Sequence, residues 1–223
     1  MIEYITPSNI DDRVLHKSVK ILEDGGIIGL PTDTSWSIVC STQSKDGIKK
    51  LRSISGERDE RHFTLLCSSI SQFGEWCSLD NTRFRIINRL APGPYVFILK
   101  TLLGTEKTLS LKRREIGVKL PDHPVPMAII KNLGFPLYGI TAKKRMTQDF
   151  ENNSDYIETE AEEDNVSYKE DELFEGGWEL DAITGLNLIL DTGEDRDRVF
   201  STVLDMRSGD VELLRPGIGT WPE

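Results

Sequence analysis

Residues 27–40, IIGLPTDTSWSIVC, hold two apolar runs separated by a proline and four small hydroxyl or acid residues. IIGL is fully apolar and follows the pair Gly25-Gly26, so it reads as a short strand covered by helices on both faces. WSIVC resumes the strand. The elbow Thr32-Asp33-Thr34-Ser35 between the runs sets hydroxyls and a carboxylate at a strand end. In open α/β sheets ligands lie outside the carboxyl ends of strands, which makes the elbow a candidate site. The plainer alternative is a turn whose side chains cap their own backbone.

Outward from the elbow the same rhythm continues. Residues 8–24 predict an amphipathic helix, capped by Ser8, with Ile10, Val14, Leu15, Ile21 and Leu22 on one stripe. KDGIKKLRSI (45–54) suits a helix and FTLLC (63–67) a buried strand, and SISQFGEWC and NTRFRIINRLAPG give two more helical stretches. YVFILK (95–100) and IGVKLP (116–121) predict strands, HPVPMAIIKNLG (123–134) a helix opened by proline and closed by glycine, and FPLYGIT a further strand. STVLDM-RSGD-VELLR closes the chain as an antiparallel hairpin turned at Ser208-Gly209-Asp210. Alternating strands and helices predict one α/β domain over 1–223, with a mixed, largely parallel sheet flanked by helices. Residues 143–185 break the rhythm and are expected to be an acidic insertion or mobile loop, with Tyr156, Ile157, Leu173, Phe174 and Trp178 as docking points.

With 223 residues, 38% hydrophobic and 29% charged, the chain has globular composition, and no apolar run approaches the roughly 20 residues of a membrane span. No basic region followed by an apolar stretch opens the sequence, so a cytoplasmic protein without membrane contact is expected. Cys40, Cys67 and Cys77 are odd in number and widely spaced, and His16, His62 and His123 are scattered, so no tightly bound metal is expected. The thiols at the ends of apolar runs read as small buried hydrophobes. The net charge of −10 is uneven: residues 151–181 hold 13 acids and one base, Lys169. The body outside them is close to neutral, so the acidic balance says little about a site elsewhere.

No glycine-rich nucleotide loop, P-loop or nucleophile elbow is present. What remains is a set of polar residues at strand ends: Thr32, Asp33, Thr34, Arg58, Arg61, Thr64, Lys100, Lys119, Thr141, Lys143, Ser201, Thr202 and Arg215. Hydroxyls with unpaired cations suit phosphate or carboxylate.

In order along the chain, GGIIGLPTDTSWSIVC, RLAPGPYVFILK, IGVKLPDHPVPMAIIKNLGFPL, LILDTG and FSTVLDMRSGDVELLRPGIG resemble the successive motifs of the YrdC/YciO family. The best-known members of that family are threonylcarbamoyl-AMP synthases. The resemblance runs from about residue 10 to 219 outside the acidic segment, and FTLLC with YVFILK resembles the YciO branch. It implies a twisted α/β sheet around a deep cavity for ATP, carried by Mg2+, and L-threonine, with bicarbonate as third substrate and tRNA modification as destination. It assigns Thr32, Thr34, Thr64, Lys119 and Thr141 to substrate, and Arg58, Arg61, Lys143, Ser201 and Arg215 to nucleotide. Four departures stand out. The K-x-R of synthases falls on Ser55 and Glu57, GITAK replaces S-T-S-A-N, Lys119 replaces an arginine, and Trp36-Ser37-Ile38-Val39 replaces Tyr-Gly-Leu-Gly. A second functional class follows from them: a module of the same fold that binds tRNA or double-stranded RNA with weak or lost synthesis.

Overall fold

The structure is a computed structural model that describes residues 1–55, 63–147 and 169–221. Among these residues ten strands form one sheet: β1 (Ile2–Tyr4), β2 (Ile28–Pro31), β3 (Trp36–Ser41), β4 (Thr64–Leu66), β5 (Tyr95–Lys100), β6 (Glu115–Lys119), β7 (Leu137–Thr141), β8 (Leu188–Asp191), β9 (Thr202–Asp205) and β10 (Glu212–Arg215). Their spatial order is β1-β8-β2-β3-β7-β4-β6-β5-β9-β10. The α/β fold with a mixed sheet is as expected, but the sheet is not largely parallel: among the described strands four neighbouring pairs are parallel and five antiparallel. One reason lies in the elbow. WSIVC does not continue IIGL; it turns back, pairing Pro31 with Trp36 and Ile28 with Val39. The interruption is a hairpin turn, whose polar residues satisfy a reversing backbone.

Among the described residues six α-helices flank the sheet: α1 (Asp12–Glu23), α2 (Lys45–Ser55), α3 (Ile70–Trp76), α4 (Asn81–Leu90), α5 (Thr105–Leu109) and α6 (Pro124–Leu133). The cap of α1 is Asp11, whose carboxylate accepts the Arg13 N–H, rather than Ser8. A carboxylate one residue before the first turn meets both the free N–H groups and the positive helix end, which a serine four residues upstream cannot reach. On one sheet face Trp36, Ile38, Leu65, Phe97 and Val118 pack against Ile48 and Leu51 of α2, Phe73 of α3 and Ile87 of α4. On the other, Ile28, Leu30, Val39, Leu66 and Leu137 pack under Val14 and Leu22 of α1 and Val125, Ile129 and Ile130 of α6. No helix among the described residues is long and apolar enough to cross a membrane.

The second helical layer stops at β4, and this positions the site. Register places Thr64, Gly117 and Lys119 on one face with Val96, Ile98 and Val203, because strand side chains alternate with period two. A Cβ on Gly117 would meet Val96 at 2.9 Å, Thr64 Oγ1 at 3.3 Å and Ile98 at 3.5 Å, so the three do share a side. Thr64, Val96, Ile98 and Val203 remain half-buried, and among the described residues no helix of that layer packs over them.

Part of the expected acidic insertion is described. Residues 143–147 and 169–185 belong to the body: Leu173 bridges Lys143, Leu173 and Phe174 are buried as expected, and Leu180 and Ile183 join the core. Trp178, expected to dock, is 60% exposed. Tyr156 and Ile157 lie outside the described residues. All three cysteines are buried and unpaired, and burial pushes the Cys77 thiol up to about 12; they are core hydrophobes, not nucleophiles.

Candidate functional site

The elbow spends one of its hydroxyls on itself. Thr32 Oγ1 donates to the Ser35 carbonyl at 2.7 Å and accepts the Thr34 N–H at 3.2 Å. Thr32 thus holds the turn closed, the self-capping alternative realised at this one residue. Thr34 is turned toward two distant elements. Its Oγ1 lies 3.1 Å from Lys119 Nζ, at the end of β6, and 3.3 Å from Ser201 Oγ, at the entry to β9.

Lys119 is the hub. Its ammonium donates to Ser201 Oγ at 3.0 Å and Thr34 Oγ1 at 3.1 Å and forms an ion pair with Asp33 Oδ1 at 2.7 Å. Both members of the Lys119–Asp33 pair are buried, their side chains 4% and 8% exposed. The expectation of an unpaired cation therefore fails at Lys119. Burial pushes its pKa below the usual lysine range, Asp33 pulls the other way, and Arg215 and Arg196 add to the push. Both hydroxyl oxygens accept from the lysine, and only one of the two O–H bonds can serve the short Thr34–Ser201 contact. The other has an acceptor within the elbow, because Thr32 Oγ1 lies 3.2 Å from Thr34 Oγ1. The buried oxygen Oδ2 of Asp33 has no hydrogen-bond partner among the described residues.

Arg215, on β10, reaches the same group from behind, through Nε and Nη2 to the Ser201 carbonyl at 3.2 and 2.8 Å, with its guanidinium 5.1 Å from the Phe200 ring centroid. It lines a cleft of about 440 Å3 with Glu170, Val199, Phe200, Pro216, Gly217 and Ile218. Thr32, Thr34, Lys119, Ser201 and Arg215 thus come together. Thr64 lies beside Gly117 on the half-buried sheet face, and Thr141, paired with Ser37 at the end of β7, faces the same side. Lys143 is drawn toward the returning acidic segment, 3.7 Å from Glu172. Thr202 serves the fold, donating to the Gly219 carbonyl. Lys100 is exposed and pairs across the sheet with Glu115. Arg58 and Arg61 lie outside the described residues.

Two members were not singled out from sequence. His123 caps α6, its Nδ1 accepting the Val125 N–H at 3.2 Å. Arg196, in the connection from β8 to β9, donates through Nη2 to the Thr32 carbonyl and brings Nη1 to 3.4 Å from His123 Nε2. Burial and the Arg196 charge, opposed by Asp33, push the His123 pKa down to about 4. The unfolded chain, with an ordinary imidazole, binds the proton more tightly, so stability should fall as pH drops from about 6.5 toward 4. Discounted for partial exposure, the loss is about 1–2 kcal/mol. Urea unfolding of wild type and His123→Asn, which keeps a capping acceptor, should diverge from pH 7 to 4.5, with the variant less acid-sensitive; equal pH slopes would contradict a buried neutral histidine.

Residues 20–170 match the family model Sua5/YciO/YrdC, described as "Telomere recombination". YciO of Escherichia coli is 30% identical over 97% of this chain and 95% of its own. Its crystal structure superposes with a TM-score of 0.76 at 26% identity, covering 99% of this chain and 97% of that one. The mouse protein named threonylcarbamoyl-AMP synthase is 23% identical over 92% of this chain and 67% of its own. Sua5 of P. abyssi, solved in complex with L-threonine, has a TM-score of 0.76 at 17% identity and covers 97% of this chain but 57% of its own, a likeness of fold.

Proposed function

The chain belongs to the Sua5/YciO/YrdC family, and from that premise we propose that it is an enzyme of the threonylcarbamoyl-AMP synthase type. Its substrates would be L-threonine, bicarbonate and ATP carried by Mg2+, and its product would serve threonylcarbamoyl modification of tRNA. The reading is carried by the convergence of Thr34, Lys119, Ser201 and Arg215 from four separate elements beside a half-buried sheet face. In the proposed reaction the threonine amine adds to carbon dioxide derived from bicarbonate and gives up a proton to solvent. An oxygen of the resulting carbamate attacks the α-phosphorus of ATP, and pyrophosphate leaves with the metal.

Such chemistry asks a protein chiefly for positioning and charge neutralisation. Thr34 and Ser201, held by Lys119, would present a hydroxyl to the ligand, and Arg215 would face the phosphates from the cleft. Pyrophosphate release from ATP should require both threonine and bicarbonate, and no release above blank at high enzyme concentration would remove the reading. Arg215→Ala should weaken nucleotide binding by about 1.5–3 kcal/mol, the range for hydrogen bonds to charged groups. Calorimetry showing unchanged nucleotide affinity would detach Arg215 from the phosphates.

A second reading, an RNA-binding module of this fold, is favoured by the basic edge formed by Lys107 on α5 and Lys112, Arg113 and Arg114 on the α5–β6 connection, where all four side chains are exposed. Phosphate contacts there would make binding to tRNA or duplex RNA fall steeply with salt. Filter binding without salt-sensitive retention at low ionic strength would exclude it.

A further inference from the structure

Arg196 stands apart from the other cations of the site. Lys119 is held by two hydroxyls and by its ion pair with Asp33, and Arg215 is turned onto the Ser201 carbonyl. Arg196 has five N–H bonds, and the Thr32 carbonyl takes one of them. Its Nε is buried with no hydrogen-bond partner. Its Nη1 faces His123 Nε2 at 3.4 Å, but His123 already accepts the Val125 N–H on Nδ1. A neutral ring in that state carries its proton on Nε2, so two donors confront one another. Among the described residues no carboxylate lies within ion-pairing distance of Arg196, and Asp33, Asp197 and Glu194 act on it only through space.

The surroundings repeat the same sign. Arg196 lies at the N-terminal end of α6, where the helix dipole is positive. Pro124 and Pro126 have no N–H, and the Val125 N–H is taken by His123, so the first turn offers an anion field but no donors. A half-buried guanidinium in such a place, with four N–H bonds unspent, lacks an oxyanion of matching shape.

We propose that Arg196 binds the carboxylate of the amino-acid substrate, as a two-pronged contact beside the Thr32–Thr34 elbow. This rests on the amino-acid half of the synthase reading. A carboxylate is favoured over phosphate by charge: Arg196 is a single cation already in the field of Asp33, Asp197 and Glu194, so one carboxylate can be accommodated where the several charges of a triphosphate would be repelled. Asp33 supplies the negative field that the ligand's ammonium requires, and the Thr34–Ser201 pair lies across the elbow for a hydroxyl side chain. In the sequence, Arg196 occurs within GEDRDR, a mixed-sign run that reads as solvated surface.

The test is calorimetry of wild type, Arg196→Gln and Arg196→Lys with L-threonine and, separately, sodium pyrophosphate. L-threonine should bind about tenfold to hundredfold more weakly to Arg196→Gln. Arg196→Lys should recover little of it, because a lysine keeps the charge and loses the fork. Pyrophosphate affinity should stay within about twofold. Unchanged threonine affinity in Arg196→Gln, or equal losses for both ligands, would overturn the proposal while leaving the synthase reading standing. The converse is separable by titrating wild type with sodium acetate and following the His123 ring by NMR. A carboxylate on Arg196 should raise the His123 pKa, and that response without any threonine binding would sustain the site and remove threonine as substrate. No His123 response to acetate and no threonine binding would end the proposal, also if Arg196→Gln fails to fold.

Discussion

Lys119→Met should lower the free energy of unfolding by about 3–5 kcal/mol, the cost of leaving one member of a buried ion pair uncompensated. Asp33 would keep its charge with Oδ1 stripped of the ammonium at 2.7 Å and Oδ2 already without a partner. The Thr34 and Ser201 hydroxyls would lose a common donor, so ligand affinity should fall with stability. Methionine fills nearly the volume of lysine, so the loss is electrostatic and not a cavity effect. The double variant Asp33→Asn/Lys119→Met removes both charges and should recover most of the stability while ligand binding stays impaired. Urea denaturation of the four members of the cycle measures the coupling directly. A coupling under about 0.5 kcal/mol would mean that the pair contributes no more than an exposed surface ion pair.

The same pair marks the boundary of what the sequence discloses. Apolar runs such as IIGL and FTLLC announce buried strands because hydrophobic continuity is a local property, and β2 and β4 fall where those runs do. The direction of WSIVC was not legible, since Pro-Thr-Asp-Thr-Ser interrupts a strand or reverses it depending on partners far along the chain. Here β3 is fixed by pairing with β7, about a hundred residues downstream. In the site, hydroxyl and basic residues at strand ends were visible as types, and Thr34, Lys119, Ser201 and Arg215 do meet. Their states were not visible. Lys119 is bound by an acid 86 positions earlier, and Thr32 by its own turn, so one expected ligand cation and one expected ligand hydroxyl are already engaged. Arg196 was hidden for the opposite reason: it stands among acids in a mixed-sign run with no apolar pattern to place it, yet the fold brings its guanidinium to the elbow carbonyl.

Gly217→Ala should cost about 2–4 kcal/mol, combining overpacking with lost hydrogen bonds, and should impair the site without touching a charged residue. A Cβ at this position would stand 2.5 Å from the Phe200 carbonyl oxygen, 2.5 Å from the Ser201 carbonyl carbon and 2.6 Å from the Thr202 nitrogen. All three are backbone atoms, and that backbone is pinned: Thr202 donates its N–H to the Pro94 carbonyl at the mouth of β9. The 216–219 segment must therefore move instead, straining the Ile218 N–H bond to the Phe200 carbonyl and the Thr202 bond to Gly219. Arg215 is two residues away and would be drawn off the Ser201 carbonyl, so nucleotide affinity should drop together with stability. Two neighbours calibrate the effect. Gly219→Ala would press on the Tyr95 ring at 2.6 Å, a side chain with some room to yield, and should cost less. Gly209→Ala has nothing within 4 Å and should leave the urea midpoint unchanged. If Gly217→Ala instead unfolds within about 0.5 kcal/mol of wild type, the close packing of this segment on the Phe200–Thr202 backbone is wrong, and the placement of Arg215 in the cleft falls with it.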